Sequence, residues 1–238
     1  MDDGWQSGKS AASIFPGGSF QNIWRNPGYW KLDSLKFPGG FGKLISAAQK
    51  KGITISTSFN PSTDSSFKYW RKDASVLINQ YKNYGIHTWK IDGVKIANKL
   101  AEVNFRKMLD TVVESTGNKA IFNLDVTAGR RFGYNYFYEY GNLFLENRYT
   151  DFASYYPHFT LRNLLMLSKY IPPQRLQIEF LNKWRNTDKY PKNDLCAPEQ
   201  YSFDYLFASS IPAYTLVWME ERNLPQQAFS TASLIKIY

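Results

Sequence analysis

Cysteine and histidine are nearly absent: 238 residues contain one cysteine, Cys196, and two histidines, His87 and His158. A lone cysteine excludes an internal disulfide and any cysteine-rich metal site. Two histidines so far apart show no metal-ligand spacing, so no metal and no cofactor is expected. The same scarcity argues against Cys–His and Ser–His–Asp catalysis. No apolar run approaches the roughly 20 residues of a membrane helix, which argues against a membrane partner. No run of Lys or Arg exceeds two residues, so the net charge of +9 reads as a solvated surface rather than a nucleic-acid footprint.

What the chain does have is a normal core and many rings. Hydrophobic residues make up 43% and charged residues 21%, the balance of an ordinary folded chain. Aromatic residues reach 17%. Flat rings edged by hydroxyls suit stacking on carbohydrate, although packing a large core takes most of them. The length suits one large domain, close to the roughly 250 residues of a single α/β barrel.

Residues 1–40 are rich in Gly, Pro, Ser and Trp and read as loop, with Phe15-Pro16-Gly17-Gly18 and Phe37-Pro38-Gly39-Gly40 as punctuation. Phe41, Leu44, Ile45 and Ala48 then fall at the spacing of one helix face, and Gly52 ends that helix. A β-branched strand is expected over 53–59, stopped by Asn60-Pro61. Ala74, Leu77, Ile78 and Tyr81 mark a second helix, closed by Gly85 before a strand over 86–92. Phe105, Met108, Leu109 and Val112 mark a third, ended near Gly117. A strand over 120–124 reaches Asp125, and a shorter one over 143–145 reaches Glu146. Leu161, Leu164 and Leu165 lie on a helix stopped by Pro172-Pro173. The stretch 176–180 reads equally as strand or helix, 198–209 reads as helix, and 214–218 as a final strand followed by Glu220 and Glu221.

This alternation with short connections points to an α/β fold with a parallel sheet wrapped by helices, a (β/α)8 TIM-type barrel in one domain spanning 1–238. Successive apolar strands end in Asn60, Asp92, Asp125 and Glu146. In a closed barrel, side chains at the carboxyl ends of strands share one mouth, so these four would ring it.

A ring of acids without histidine or a phosphate loop leaves glycoside hydrolysis as the fitting chemistry. One carboxylate attacks or steadies the anomeric carbon while another protonates the leaving oxygen. Asp92 is the best nucleophile, because strand and Gly93 fix its direction and Lys90 supplies a positive neighbour that keeps it ionised. The acid partner comes from Leu145-Glu146-Asn147-Arg148-Tyr149-Thr150-Asp151, where both Glu146 and Asp151 are candidates. Asp151 is favoured, because burial among Tyr149, Phe152, Tyr155 and Tyr156 would hold it protonated near neutrality. A metal-dependent hydrolase using acids to bind Mg²⁺ or Ca²⁺ stays open but has no dedicated spacing behind it.

With these residues in place, the chain resembles the melibiase-type α-galactosidases of glycoside hydrolase family 36, and more distantly family 27. Asp-Asp-Gly-Trp at 2–5, Lys-Ile-Asp at 90–92 and Arg-Tyr-Thr-Asp at 148–151 stand in the order of that family. The resemblance implies a retaining mechanism with Asp92 as nucleophile and Asp151 as acid/base, Arg148 being its companion. It implies that Lys90 binds sugar hydroxyls, that Asp2 and Asp3 hold the galactose 4- and 6-hydroxyls, and that Trp5 shapes that end of the pocket.

Two stretches depart from the family pattern. Asp125-Val126-Thr127-Ala128-Gly129-Arg130-Arg131 stands where many members carry a cysteine and a glycine-rich run, so the contacts to the 2-hydroxyl region, and with them the exact sugar, do not carry over from the family; Asp125 is a candidate substrate-binding residue. The usual Ser-Asp-x-x-Asp is Asn147-Arg148-Tyr149-Thr150-Asp151, with arginine replacing the first acid. In the family the first motif closes the second barrel strand. The barrel is therefore expected to be incomplete at its N-terminus, a piece of a longer protein, and unstable or inactive alone. The alternatives are a related α-glycosidase or transglycosylase on another sugar, and a non-catalytic carbohydrate-binding protein.

Overall fold

The computed structural model describes residues 1–9, 20–92, 94–127, 133–145, 156–181, 183–184, 187–218 and 226. Two compact units divide the chain, Met1–Gly141 and Asn142–Tyr238. Both are built of parallel strands separated by helices, the α/β class that the alternating pattern predicts.

The first unit contains α1 (Gly42–Gln49), β1 (Thr57–Phe59), α2 (Trp70–Tyr84), β2 (Thr88–Ile91), α3 (Lys99–Ser115), β3 (Ile121–Asp125) and the single turn α4 (Phe137–Tyr140). Gly85 closes α2 in the left-handed region, with its N–H on the Tyr81 carbonyl. Asn98 opens α3, its side chain accepting a hydrogen bond from the Ala101 N–H at 2.9 Å and satisfying one orphan helix donor. β1 pairs with β2 and β2 with β3, all parallel, so that Ser58 stands beside Lys90 and Lys90 beside Asn123.

Because side chains alternate across a strand, this register separates two faces. One carries Phe59, Trp89, Ile91, Phe122 and Leu124, each with no measurable exposure. It lies under the helices: the Gln80 side-chain oxygen on α2 accepts from Thr57 Oγ1 at 2.9 Å and from Trp89 Nε1 at 2.7 Å. Leu77, Phe105, Met108, Leu109 and Val112 complete this core. Each large apolar side chain so buried contributes about 1.5–3 kcal/mol, and this layer anchors the strands whose other face is polar.

β1 is shorter than the expected 53–59. Ile53 instead caps the end of α1, its N–H on the Ala48 carbonyl, and is half exposed. Met1 lies along β1 in a parallel pattern, its amine donating to the Ser56 carbonyl and its own carbonyl accepting from the Ser58 N–H at 2.8 Å. Leu44, expected on the buried face of α1, is exposed, while Phe41 and Ala48 are buried.

Two positions in this unit have measurable consequences. Asp73, fully buried at the start of α2, accepts from Trp24 Nε1 at 2.9 Å and from the Ser62 N–H at 3.1 Å. Burial pushes its carboxyl up to about 7, against the pull of those two donors. The unfolded chain therefore loses its proton first. Stability should fall as pH rises from about 4 to 7 and level off above that, by a few kcal/mol at most. Urea unfolding across this range should show the slope, and Asp73→Asn should flatten it.

Gly141 sits at φ +132°, and a Cβ there would lie 2.6 Å from the Phe122 carbonyl oxygen. Neither backbone can yield without disturbing β3. Gly141→Ala should cost about 3 kcal/mol, read as a lower urea midpoint.

The second unit holds β4 (Gly141–Leu145, whose first residue ends the first unit), α5 (Pro157–Leu167), β5 (Leu176–Leu181), α6 (Phe203–Ala208) and β6 (Tyr214–Trp218). β4 pairs with β5 and β5 with β6, again parallel. The ambiguous stretch 176–180 is thus a strand, its identity decided by neighbours on both sides. The helix expected over 198–209 is broken: Pro198–Gln200 forms a 3₁₀ turn, and Ser202 then caps α6 by accepting from the Tyr205 N–H at 3.1 Å. Phe203, Leu206 and Phe207 form a small core with Trp184 and Tyr201 packed against it.

Candidate active site

The polar face of the first unit follows from the strand register. Ser58, Lys90 and Asn123 stand side by side on it, and Asn60, Asp92 and Asp125 follow two residues later on each chain. The acids, the amides and the lysine of these strands therefore lie on one side, concentrated toward the carboxyl ends. Ser58, Asn60, Asn123 and Asp125 are all buried. So many polar groups are an expensive lining for a sheet face unless hydrogen-bonded or used.

Lys90 is the electrostatic centre. Its Nζ lies 2.9 Å from Asp92 Oδ2 and 3.6 Å from Asp2 Oδ2, with only 13% of the lysine side chain exposed. The ammonium thus sits between two carboxylates, one from a strand end and one from the N-terminal loop. An ammonium at 2.9 Å favours the charge that an attacking carboxylate needs. Asn60, at the end of β1, donates from Nδ2 to the Asp92 carbonyl oxygen. This bond ties the peptide unit of Asp92 to the neighbouring strand just where the chain leaves the sheet, and so limits where its carboxylate can point.

The N-terminal motif is held by its aromatic residue. Trp5 is buried and donates from Nε1 to the Ser58 carbonyl at 2.7 Å. Its ring stacks on Trp30 at 5.7 Å and packs beside Phe41. Trp5 therefore anchors the loop carrying Asp2 and Asp3 to β1. Asp3 accepts a 2.6 Å hydrogen bond from Gln6 Nε2, and Gln6 Oε1 accepts from the Gly4 N–H at 3.1 Å. Asp125, on β3, accepts from the Thr127 N–H at 2.9 Å and is buried.

Five of the residues singled out from sequence, Asp2, Lys90, Asp92, Asp125 and Trp5, thus attach to three neighbouring strands. Asp3 joins them on the same loop. Asp151, Arg148 and the alternative acid Glu146 lie outside the described residues, as does Gly93. Sequence reasoning placed Asn60 at a strand end without a role and passed over Ser58, Asn123 and Gln6. For Ser58 and Asn123 a signal existed: they precede Asn60 and Asp125 by two residues, so one face of each strand is polar twice over. Gln6 left no signal, because its partners become neighbours only when the loop folds.

Among the described residues, no group of three His, Cys, Asp or Glu side chains could hold a metal ion, and no helix is long and apolar enough to cross a membrane.

No protein-family model matches the chain, and no curated protein sequence matches it. Solved structures do. The α-galactosidase from Lactobacillus brevis superposes with a TM-score of 0.64 at 13% identity, over all of this chain and 35% of its own. A chitinase from Rhizomucor miehei superposes with a TM-score of 0.52 at 14% identity, over 80% of this chain and 84% of its own. This chain thus spans about a third of the length of that α-galactosidase. Parallel strands alternating with helices, together with these two likenesses, make the fold the α/β barrel type on which such glycosidases are built.

Proposed function

We propose that the protein is a glycoside hydrolase, and more narrowly a retaining α-galactosidase of the family 36 kind that removes terminal α-linked galactose. The observation that carries this reading is the ammonium of Lys90 held between Asp92 and Asp2 at the carboxyl end of β2. A strand-end carboxylate kept charged, its backbone tied down by Asn60, is what nucleophilic attack on an anomeric carbon requires. The fold likeness to two glycosidases agrees with it.

In this mechanism the Asp92 carboxylate displaces the glycosidic oxygen and forms a covalent glycosyl-enzyme. A second carboxyl gives its proton to the leaving oxygen, then takes one from the water that releases the sugar. That second role is assigned to Asp151 of the segment 146–155, with Glu146 as the alternative and Arg148 as the companion that the family resemblance implies. Asp2 and Asp3 receive sugar hydroxyls, Lys90 donates to them, and Asp125 adds a further sugar contact.

The test is release of an aryl group from an aryl α-galactoside, with Asp92→Asn as control. Release by Asp92→Asn equal to that of the unaltered protein overturns the reading. A panel including α-glucosides and chitin oligosaccharides fixes the sugar, and formation of oligosaccharides at high substrate concentration would indicate transglycosylation.

A further inference from the structure

The chain that leaves β1 is clamped at two points. Asn60, directly after the strand, donates from Nδ2 to the Asp92 carbonyl oxygen. Two residues on, the Ser62 N–H donates to Asp73 Oδ2 at 3.1 Å. Asn60, Pro61 and Ser62 are all buried, and Ser62 and Asp73 have no measurable exposure. Pro61, between the clamps, locks one backbone torsion. A displacement of Ser62 is therefore passed on to Asn60 rather than absorbed.

The far clamp belongs to a rigid element. Asp73 stands in the first turn of α2, the helix held to the sheet by Gln80, which accepts from Thr57 and Trp89. The other carboxyl oxygen, Oδ1, accepts from Trp24 Nε1 at 2.9 Å, so one side chain secures both the strand exit and the 3₁₀ turn Ile23–Arg25. Asp64 also reaches Ser62, but only through the hydroxyl, at 2.7 Å. The backbone at the strand exit is held by Asp73.

This clamp weakens the fold that carries it. Burial pushes the Asp73 carboxyl up to about 7 against the pull of its two N–H donors, so its ionisation lowers stability as pH rises to that value. A buried apolar side chain would carry no such penalty. Stability given up at one buried acid fits a position whose use lies in function.

We infer that Asp73 is a positioning residue of the glycosidase reaction: through Ser62 and Asn60 it fixes the peptide unit of Asp92, and so the line along which the Asp92 carboxylate meets the sugar. It takes no part in the chemistry itself. Its share in the reaction rests on the glycosidase reading; the link from Asp73 to Asp92 does not. Misplacing a reacting group by about 1 Å costs up to about 10²-fold in rate, which sets the size of the effect.

The experiment uses the full 238-residue chain. Asp73→Ala removes both hydrogen bonds, and with an aryl α-galactoside its kcat should fall about 10–100-fold while KM changes less than about twofold. Asn60→Ala should lose a similar factor. The Asp73→Ala/Asn60→Ala double variant should then lose less than about threefold more, because both substitutions break one link. Trp24→Phe spares the Ser62 bond and should keep kcat within about threefold. In ¹H–¹⁵N spectra the Asn60 side-chain amide signal should shift in Asp73→Ala and stay in place in Trp24→Phe. Should Asp73→Ala fail to fold, Asp73→Leu fills the space without accepting either bond and is read in the same way. Unchanged kcat in the Asp73 variant, losses that multiply in the double variant, an equal loss in Trp24→Phe, or an Asn60 signal that does not move each overturn the inference. The spectra need no turnover, so a chain that hydrolyses nothing still answers: a moved Asn60 signal upholds the link whatever the reaction, and an unmoved one overturns it.

Discussion

Asp92→Asn should reduce release from an aryl α-galactoside by about 10⁴-fold or more, the loss seen when a nucleophile is removed from a working constellation. The substitution keeps the shape of the side chain and an oxygen for the Lys90 ammonium at 2.9 Å. What it removes is the negative charge and the ability to form an acylal bond to the sugar. Thermal unfolding should therefore stay close to wild type, which separates chemistry from folding. Asp92→Gly extends the test. Formate occupying the vacated space can attack the anomeric carbon in place of the missing side chain, so added formate should restore turnover in Asp92→Gly and not in Asp92→Asn. Absence of rescue together with unchanged activity in Asp92→Asn would assign the nucleophile elsewhere.

Lys90→Met should lower kcat/KM by about 10²–10³-fold, through two effects that act in the same direction. The methionine stem fills the same space but leaves Asp2 and Asp92 without the cation lying between them. An attacking carboxylate without its neighbouring cation is no longer held in place by the 2.9 Å ion pair, so kcat should fall. The sugar also loses a donor, so KM should rise as well. Lys90→Arg, which keeps the charge but not the compact ammonium, should restore kcat more fully than it restores KM. A rise in KM with kcat unchanged would make Lys90 a binding residue alone.

Several features of the fold were legible because they depend on neighbours in sequence. Helical spacing at Phe105, Met108, Leu109 and Val112 marked α3, and all four side chains are fully buried. Gly85 marked the end of α2 because a left-handed residue there suits glycine. The stretch 176–180 was not legible, since a short apolar run satisfies both periods; pairing with strands on either side made it β5. The break at Ser202 was missed because a capping serine inside an apolar run looks like any other polar helix residue until its hydroxyl meets the Tyr205 N–H.

The candidate site divides along the same line. Sequence alone determined that this is an alternating α/β chain, that its strands end in acids and an amide, and that Lys90 and Asp92 share one face of one strand, because residues two apart on a strand must. Only the tertiary structure decided that Asp2 comes to Lys90, that Asn60 holds the carbonyl of Asp92, and that Trp5 reaches the carbonyl of Ser58. Those pairings join residues up to 88 positions apart. No local period encodes them; they exist because the strand register and the Trp5 anchor bring separate segments to the same place.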